Sequence, residues 1–408
     1  MRTYSAFKAV TILLILGQYL AAQSVETRGR ISNSVYMYED QKQVDGVTSA
    51  TKVTRLYQTL RYQAKFKNLA NLKINLAGRA LTELGDSDLT DEQRFKAYQL
   101  SVSANHLFSN RLDFEIGRQF FHPGLVLGSL DGANVVVRPI KNLEWQVYGG
   151  VETHLLNALK VYEADEATVY GSKITYHNMF QTNIQAVYLQ KLRAGASQWQ
   201  IAGLNLLNCS LNNLTILMQG HYDLVNERFH RLYLSSTYRF QNRLSANFYL
   251  KQQYPQIYGD SYFQIFNVSQ YQLAGLSLAY ALNDVYSING SFQGVQLKEG
   301  YGNRMILCLN DRNGSLGMVY ETGDLGEQLG VMLDYGYEIF PDLIASLSVD
   351  YSRYRFEEIY DYENQLANAV GVAYNFTKHW RFNLEYQWLN NKFMKSDQRV
   401  LNHIHYIW

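Results

Sequence analysis

The sequence predicts an all-β protein, a transmembrane antiparallel up-and-down β-barrel of about 22 strands (range about 18 to 22) with no plug domain. Three observations lead to this fold. Apolar and polar residues alternate with a period of two along many short segments, as in strands whose two faces meet different surroundings. Short and long polar breaks alternate between those segments. The chain of 408 residues contains 33 Tyr and only 4 Pro, which suits long ladders that cross a membrane interface.

The N-terminus has the features of a secretory signal peptide. Arg2 and Lys8 supply positive charge, the stretch from Ala9 to Leu20 is apolar, and Ala21 with Ala22 offers a cleavage site. The apolar run is too short to span a bilayer comfortably. We therefore expect two parts, a signal peptide over 1–22 and an outer-membrane barrel over 23–408.

The breaks between strands are of two kinds, and these alternate along the chain. Short breaks rich in turn-forming residues are expected at 67–71, 108–111, 139–142, 240–243, 282–284, 311–314, 340–342 and 376–379. Longer breaks are expected at 40–52, 84–93, 153–168, 254–269, 297–303, 355–364 and 391–398. Short turns at one end and long loops at the other are typical of membrane barrels. Alternation is poor in 199–208 and 305–310, so the strand count carries a range.

The end of the chain is an alternating strand that stops on an aromatic residue. Ile404, Tyr406 and Trp408 fall on one face, and His403 and His405 on the other. This ending resembles the C-terminal signature of Gram-negative outer-membrane barrels. The resemblance implies that Ile404, Tyr406 and Trp408 form an assembly signal read by the barrel-assembly machinery. It also implies that the protein resides among the lipids of the bacterial outer membrane.

One break is apolar and glycine-rich, unlike the others. It runs from Phe120 to Gly132 and follows Ile116–Gln119; together they resemble a motif of porin-like barrels, without identifying a subfamily or a solute. The break could fold inward as a constriction, or it could form a bent hairpin because Asp-Gly is a hairpin turn signal. The candidate constriction residues are Phe120, Phe121, His122 and Asp131.

Polar positions between lipid-facing residues are expected to line the lumen. Near the N-terminus these candidates are basic: Arg28, Arg30, Arg61, Lys65, Lys73 and Arg79. Near the C-terminus they are more acidic: Asp334, Asp350 and Glu385, with Arg381 among them. Barrel closure puts the first strands beside the last, so opposed charges would set a field that orients polar solutes. The same charges could also be solvated residues without solute specificity.

Other functional classes lack sequence support. There is no Gly-x-Ser-x-Gly, no His-Glu-x-x-His and no phosphate loop, so we predict no enzyme and no cofactor. His403 and His405 are only two ligands, which does not favour a metal site. The net charge is +1 and the two cysteines lie far apart, which favours neither nucleic-acid binding nor a disulfide framework.

These features predict a porin-like outer-membrane channel for passive diffusion of small polar solutes. The alternative is a structural barrel that houses a partner protein or a secreted polymer. A wide barrel without its own plug must conduct, fold loops inward or be filled by another molecule. Either function is compatible with a homo-oligomer or with a periplasmic or extracellular partner.

Overall fold

The computed structural model of the chain describes residues 25–408 with gaps. The gaps are 45–46, 68, 70, 85–88, 122–123, 126–127, 154–159, 242, 256–269, 299, 325, 357–358 and 393–395. The signal peptide predicted over 1–22 lies outside the described residues.

The described chain is a closed, antiparallel barrel of 22 strands. Its strands are β1 (Val25–Val44), β2 (Val47–Phe66), β3 (Leu72–Leu84), β4 (Phe95–His106), β5 (Leu112–Phe121), β6 (Gly128–Ile140), β7 (Leu143–Glu152), β8 (Ala167–Met179), β9 (Thr182–Arg193), β10 (Ala196–Asn208), β11 (Leu214–Asp223), β12 (Arg228–Arg239), β13 (Leu244–Gln253), β14 (Tyr271–Ala281), β15 (Ser287–Gln296), β16 (Tyr301–Asn310), β17 (Gly314–Gly323), β18 (Glu327–Phe340), β19 (Leu343–Arg355), β20 (Glu363–Asn375), β21 (Trp380–Asn390) and β22 (Asp397–Ile407). Each strand pairs with the next, and β1 pairs with β22 to close the sheet. The predicted fold class and strand number are confirmed.

In the described part of the chain, helix is limited to two short segments, α1 (Asp91–Arg94) between β3 and β4 and α2 (Leu107–Asn110) between β4 and β5. Neither of these described helices is long and apolar enough to cross a membrane.

The outer face carries rows of exposed apolar side chains. Phe248, Leu276, Phe292 and Met305 stand side by side on four neighbouring strands, and each is more than 40% exposed. Residues paired directly across an antiparallel ladder point to the same side, so this row marks the outside. An exposed apolar row of this length is what the hydrocarbon of a bilayer would cover.

The strands end differently on the two rims. Short turns join β2 to β3, β12 to β13 and β18 to β19, with Asn71, Arg243 and Asp342 in the left-handed region that such turns require. All eight predicted short breaks coincide with joints on this rim. The chain also turns on this rim at 180–181 and 209–213. The start of β1 and the end of β22, which pair to close the barrel, lie on the same rim.

The loop expected at 40–52 is instead a continuous ladder, which corrects that prediction. β1 and β2 stay paired up to Val44 and Val47. The sequence there has polar residues at successive positions. Such a pattern predicts a loop if every strand is expected to have one apolar face. A hairpin that extends beyond the bilayer needs no apolar face, because water lies on both sides of it.

Candidate functional site: the inner wall of the barrel

The basic candidates share one face of β1, β2 and β3. Arg30 lies opposite Arg61, and Lys65 lies opposite Lys73. The alternate row of β1 holds Ile31, which is 37% exposed and lies on the outside of the barrel. The basic residues therefore point to the inside. Like charges directly opposite one another repel, and water is what makes such pairs tolerable.

The other basic candidates extend this charged sector. Arg28 is exposed, and its guanidinium is 2.7 Å from the carboxylate of Glu26. The Arg79 guanidinium lies 5.3 Å from the centre of the Tyr57 ring. The inner row of β1 and β2 is thus charged from the turn rim upward and is not covered by apolar side chains. We call β1–β3 and β18–β22 the charged sector.

The acidic candidates lie on the same face across the closure. Asp334 accepts a hydrogen bond of 2.6 Å from Ser348. Glu385 accepts one of 2.5 Å from Gln387, and Arg381 donates one of 3.1 Å to Asn383. Asp334, Asp350 and Arg381 are exposed, so the space in front of them is open. Their proposed influence on solutes stays a prediction.

The two C-terminal histidines connect the last strand, β22, to the first strand, β1, through side-chain hydrogen bonds. His403 Nδ1 lies 2.6 Å from Ser34 Oγ, and His405 Nδ1 lies 2.7 Å from Ser32 Oγ. Their rings are stacked with centroids 6.0 Å apart. Each imidazole is therefore engaged across the β1–β22 seam. Among the described residues, no group of three or more His, Cys, Asp or Glu is placed to hold a metal ion.

The predicted assembly residues lie on the outside of the same seam. Tyr406 and Trp408 are stacked with ring centroids 5.8 Å apart, and Tyr62 lies 6.3 Å from Trp408. The Trp408 backbone exchanges two hydrogen bonds with Gly29, and a Cβ on Gly29 would meet the Trp408 ring at 2.1 Å. Glycine is therefore needed beneath this indole. The role of Ile404, Tyr406 and Trp408 in assembly stays a prediction.

The opposite side of the inner wall is filled by apolar side chains. A packed cluster joins residues of β6 to β10 with one residue from the break between β5 and β6. Its members are Leu125, Leu130, Tyr148, Val169, Val187, Leu189 and Ile201. We call this cluster and its neighbours the packed sector. It buries apolar surface inside a barrel whose other side is charged.

The break between β5 and β6 reaches this cluster through Gly124 and Leu125. Asn205 Nδ2 donates to the Gly124 carbonyl at 3.3 Å, and Asn205 Oδ1 lies 2.8 Å from His221 Nε2. A Cβ on Gly203 would meet His221 at 2.6 Å and Leu125 at 3.1 Å. Only a residue without a side chain fits on the wall beneath Leu125, so the strand and the segment match in shape.

Of the predicted constriction residues, the structure describes the side chains of Phe120 and Asp131, and both lie on the outer row. The register puts Asp131 opposite Arg118, in line with the exposed Leu100 on the outer row. Arg118 Nε and Asp131 Oδ1 form a buried ion pair at 2.7 Å. Phe120 shares that outer row and is 60% exposed. The side chains of Phe121 and His122 lie outside the described residues.

Ionic contacts border the packed sector. Lys191 Nζ lies 2.5 Å from Glu152 Oε1 and 4.3 Å from the centre of the Trp199 ring. Asp223 accepts hydrogen bonds from the backbone of Val225 and Asn226. Asp223 therefore orders the turn after β11.

Comparison with known proteins adds the following. No protein-family model matches the chain, and no curated protein matches its sequence. Among solved structures, it is similar to Pseudomonas aeruginosa OccK9 (OpdG), with 14% identity and a TM-score of 0.45, covering 94% of this chain and 98% of that one.

Two further solved structures show the same level of likeness. A BenF-like porin from Pseudomonas fluorescens Pf-5 has 10% identity and a TM-score of 0.48, and Pseudomonas aeruginosa OpdK with vanillate has 10% identity and a TM-score of 0.43. Each covers 94% of this chain and 98% of the other. The chain's own closed barrel of 22 antiparallel strands with an apolar outer face is the architecture of a transmembrane β-barrel.

Proposed function

We propose that the barrel is a passive channel for small polar solutes. The observation that carries this proposal is the exposure of inward charges in the charged sector. Arg28, Arg61, Asp334, Asp350 and Arg381 are all exposed on the inner row. Ionised groups remain exposed only where water reaches them, so the wall they line borders an aqueous path.

The path is off-centre in this proposal. The segment at Gly124 and Leu125 rests on β9 and β10, and it narrows the barrel from the packed sector. Solutes then move along the charged sector, where basic side chains of β1–β3 stand beside acidic side chains of β18–β21. A transverse field of this kind orients dipolar solutes and discriminates between ions of opposite sign.

Export and assembly complete the proposal. Residues 1–22 direct secretion and are removed. The aromatic residues at the end of β22 engage the assembly machinery before the barrel closes. The histidine–serine bonds across the seam then hold the first strand to the last.

Purified barrel reconstituted in a planar lipid bilayer tests the proposed channel. We expect stepwise current increments that scale with salt concentration, because water fills the path beside the charged sector. A folded barrel that stays silent, and that co-purifies with a stoichiometric protein or polymer inside it, would contradict the channel and support a housing function. Folding is checked by the shift in gel mobility on heating.

A further inference from the structure

The outer face at the seam carries side-chain amides in the middle of the apolar surface. Asn33 of β1 lies opposite Gln58 of β2, and Gln58 Nε2 donates to Asn33 Oδ1 at 3.1 Å. Asn402 of β22 lies opposite Val35, on the next outward row. We call Asn33, Gln58 and Asn402 the amide patch. The same band across the barrel holds Phe248, Leu276, Phe292 and Met305.

The patch lies inside the lipid belt and not at its edge. On β1 the outward row runs from Gly29, which is covered by the Trp408 ring, to Glu39, which pairs in register with Lys52. The ten steps along the strand from Gly29 to Glu39 span about 25 Å of membrane depth when strands rise about 3.3 Å per residue and tilt about 40°. Asn33 stands between these limits, flanked on its own row by Ile31 and Val35.

The amides have hydrogen-bonding capacity that the chain does not use. The Asn402 amide makes no hydrogen bond to another residue in the described part of the chain. Asn33 Nδ2 and Gln58 Oε1 are likewise outside the one bond that joins their side chains. Hydrocarbon offers neither hydrogen-bond donors nor acceptors. These amide groups would therefore be stabilised by a polar partner within the membrane.

We propose that the amide patch is the contact surface between two copies of this chain in the membrane. An amide is both a donor and an acceptor, so a face that carries three amides is complementary to itself across a two-fold axis. Small and polar residues are the usual means of association inside a bilayer, where apolar contact alone gives no preference for protein over lipid. Lipid headgroups do not reach this depth, which favours a second copy over a bound lipid.

The test replaces the patch with the residue typical of the outer rows. The variant Asn33→Leu, Gln58→Leu, Asn402→Leu is compared with wild type by sedimentation in mild detergent and by dilution in lipid vesicles. We expect wild type to form dimers and the variant to dissociate about tenfold more readily, since each amide contact within a membrane contributes modestly. Ser236→Leu, on the outer row of β12 opposite Phe248, is the control and should leave the dimer unchanged.

Cross-linking in native membranes gives a second measurement that does not depend on the triple variant folding. In a background with Cys209→Ser and Cys308→Ser, Gln58→Cys should form a disulfide-linked dimer under mild oxidation, while Ser236→Cys should not. The proposal is overturned if wild type is monomeric at membrane densities, with or without bound lipid. It is also overturned if the triple leucine variant dimerises as wild type does, or if both cysteine variants cross-link equally.

Discussion

Lys191 and Glu152 show how a single ionic contact is supported on the inner wall of the barrel. Both side chains are about nine-tenths buried and their charged atoms are 2.5 Å apart. Arg193 lies 3.5 Å from the same carboxylate, and the Lys191 ammonium rests on Trp199. A buried ion pair of this kind adds little over apolar residues of equal size, but loss of one partner leaves a buried charge uncompensated.

We therefore expect Lys191→Met to lower the free energy of unfolding by about 3 kcal/mol, because Arg193 compensates the carboxylate only in part. The double variant Lys191→Met, Glu152→Leu should regain most of that loss. Guanidinium unfolding of barrel in lipid vesicles, followed by tryptophan fluorescence, measures both. A single variant as stable as wild type would show that the pair is not insulated from water.

Residue positions were predictable where the two-residue period was clean. The parity of β1 and β2 separates Arg30 and Arg61 from Ile31 in the sequence, and the ladder keeps Arg30 and Arg61 on the face opposite to Ile31. Leu125 was not predictable, since nothing in the sequence marks one leucine of an apolar break as the residue that inserts. Asp131 was assigned to a constriction, whereas its charge is paired with Arg118 on the outer row.

At the scale of elements, the break between β5 and β6 adds Leu125 to the apolar cluster that covers the inner wall over β6 to β10. The stretch 199–208 alternates poorly because Ile201 faces inward and is fully buried in the cluster that includes Leu125. An inner position covered by apolar side chains loses the polar signal by which it would be recognised. Poor alternation was therefore a sign of internal packing and not of a missing strand.

Leu125→Ala tests whether the segment narrows the path. Removing the side chain should cost about 2 to 3 kcal/mol of packing, which shifts the seated segment toward the released state by about 30- to 150-fold. We expect larger or noisier single-channel currents as the packed sector opens. Leu76→Ala, on the outer row of β3, is the control and should leave the current unchanged. Equal currents for Leu125→Ala and wild type would mean that the path lies elsewhere.

The tip of the β1–β2 hairpin is a strand pair that the sequence pattern does not reveal. Its polar tip was read as a loop although the strands are paired to Val44 and Val47. Period and turn chemistry locate a strand only while one face must be apolar. Beyond the bilayer that requirement ends, and pairing continues on backbone hydrogen bonds that leave no pattern in the sequence.

For the whole molecule, closure of the barrel gives an inner wall with two different parts, the charged sector and the packed sector. Joining β22 to β1 leaves Glu385 and Arg381 of β21 separated from the basic row of β1 and β2 by β22 alone, while β6 to β10 hold the apolar cluster. The even number of strands and the alternating breaks predicted this closure. The division of the inner wall into a charged and a packed sector could not be predicted, because it depends on where Gly124 and Leu125 meet β9 and β10.

The most direct test of the charged sector as the conducting wall is the reversal potential of single channels under a salt gradient. The variant Arg61→Glu, Arg79→Glu should shift the preference toward cations, because both side chains lie on the inner row and their field acts on ions in the lumen. Lys52→Glu, on the outward row of the same β2 strand, should not. An unchanged reversal potential in the double variant, with normal conductance, would contradict the account.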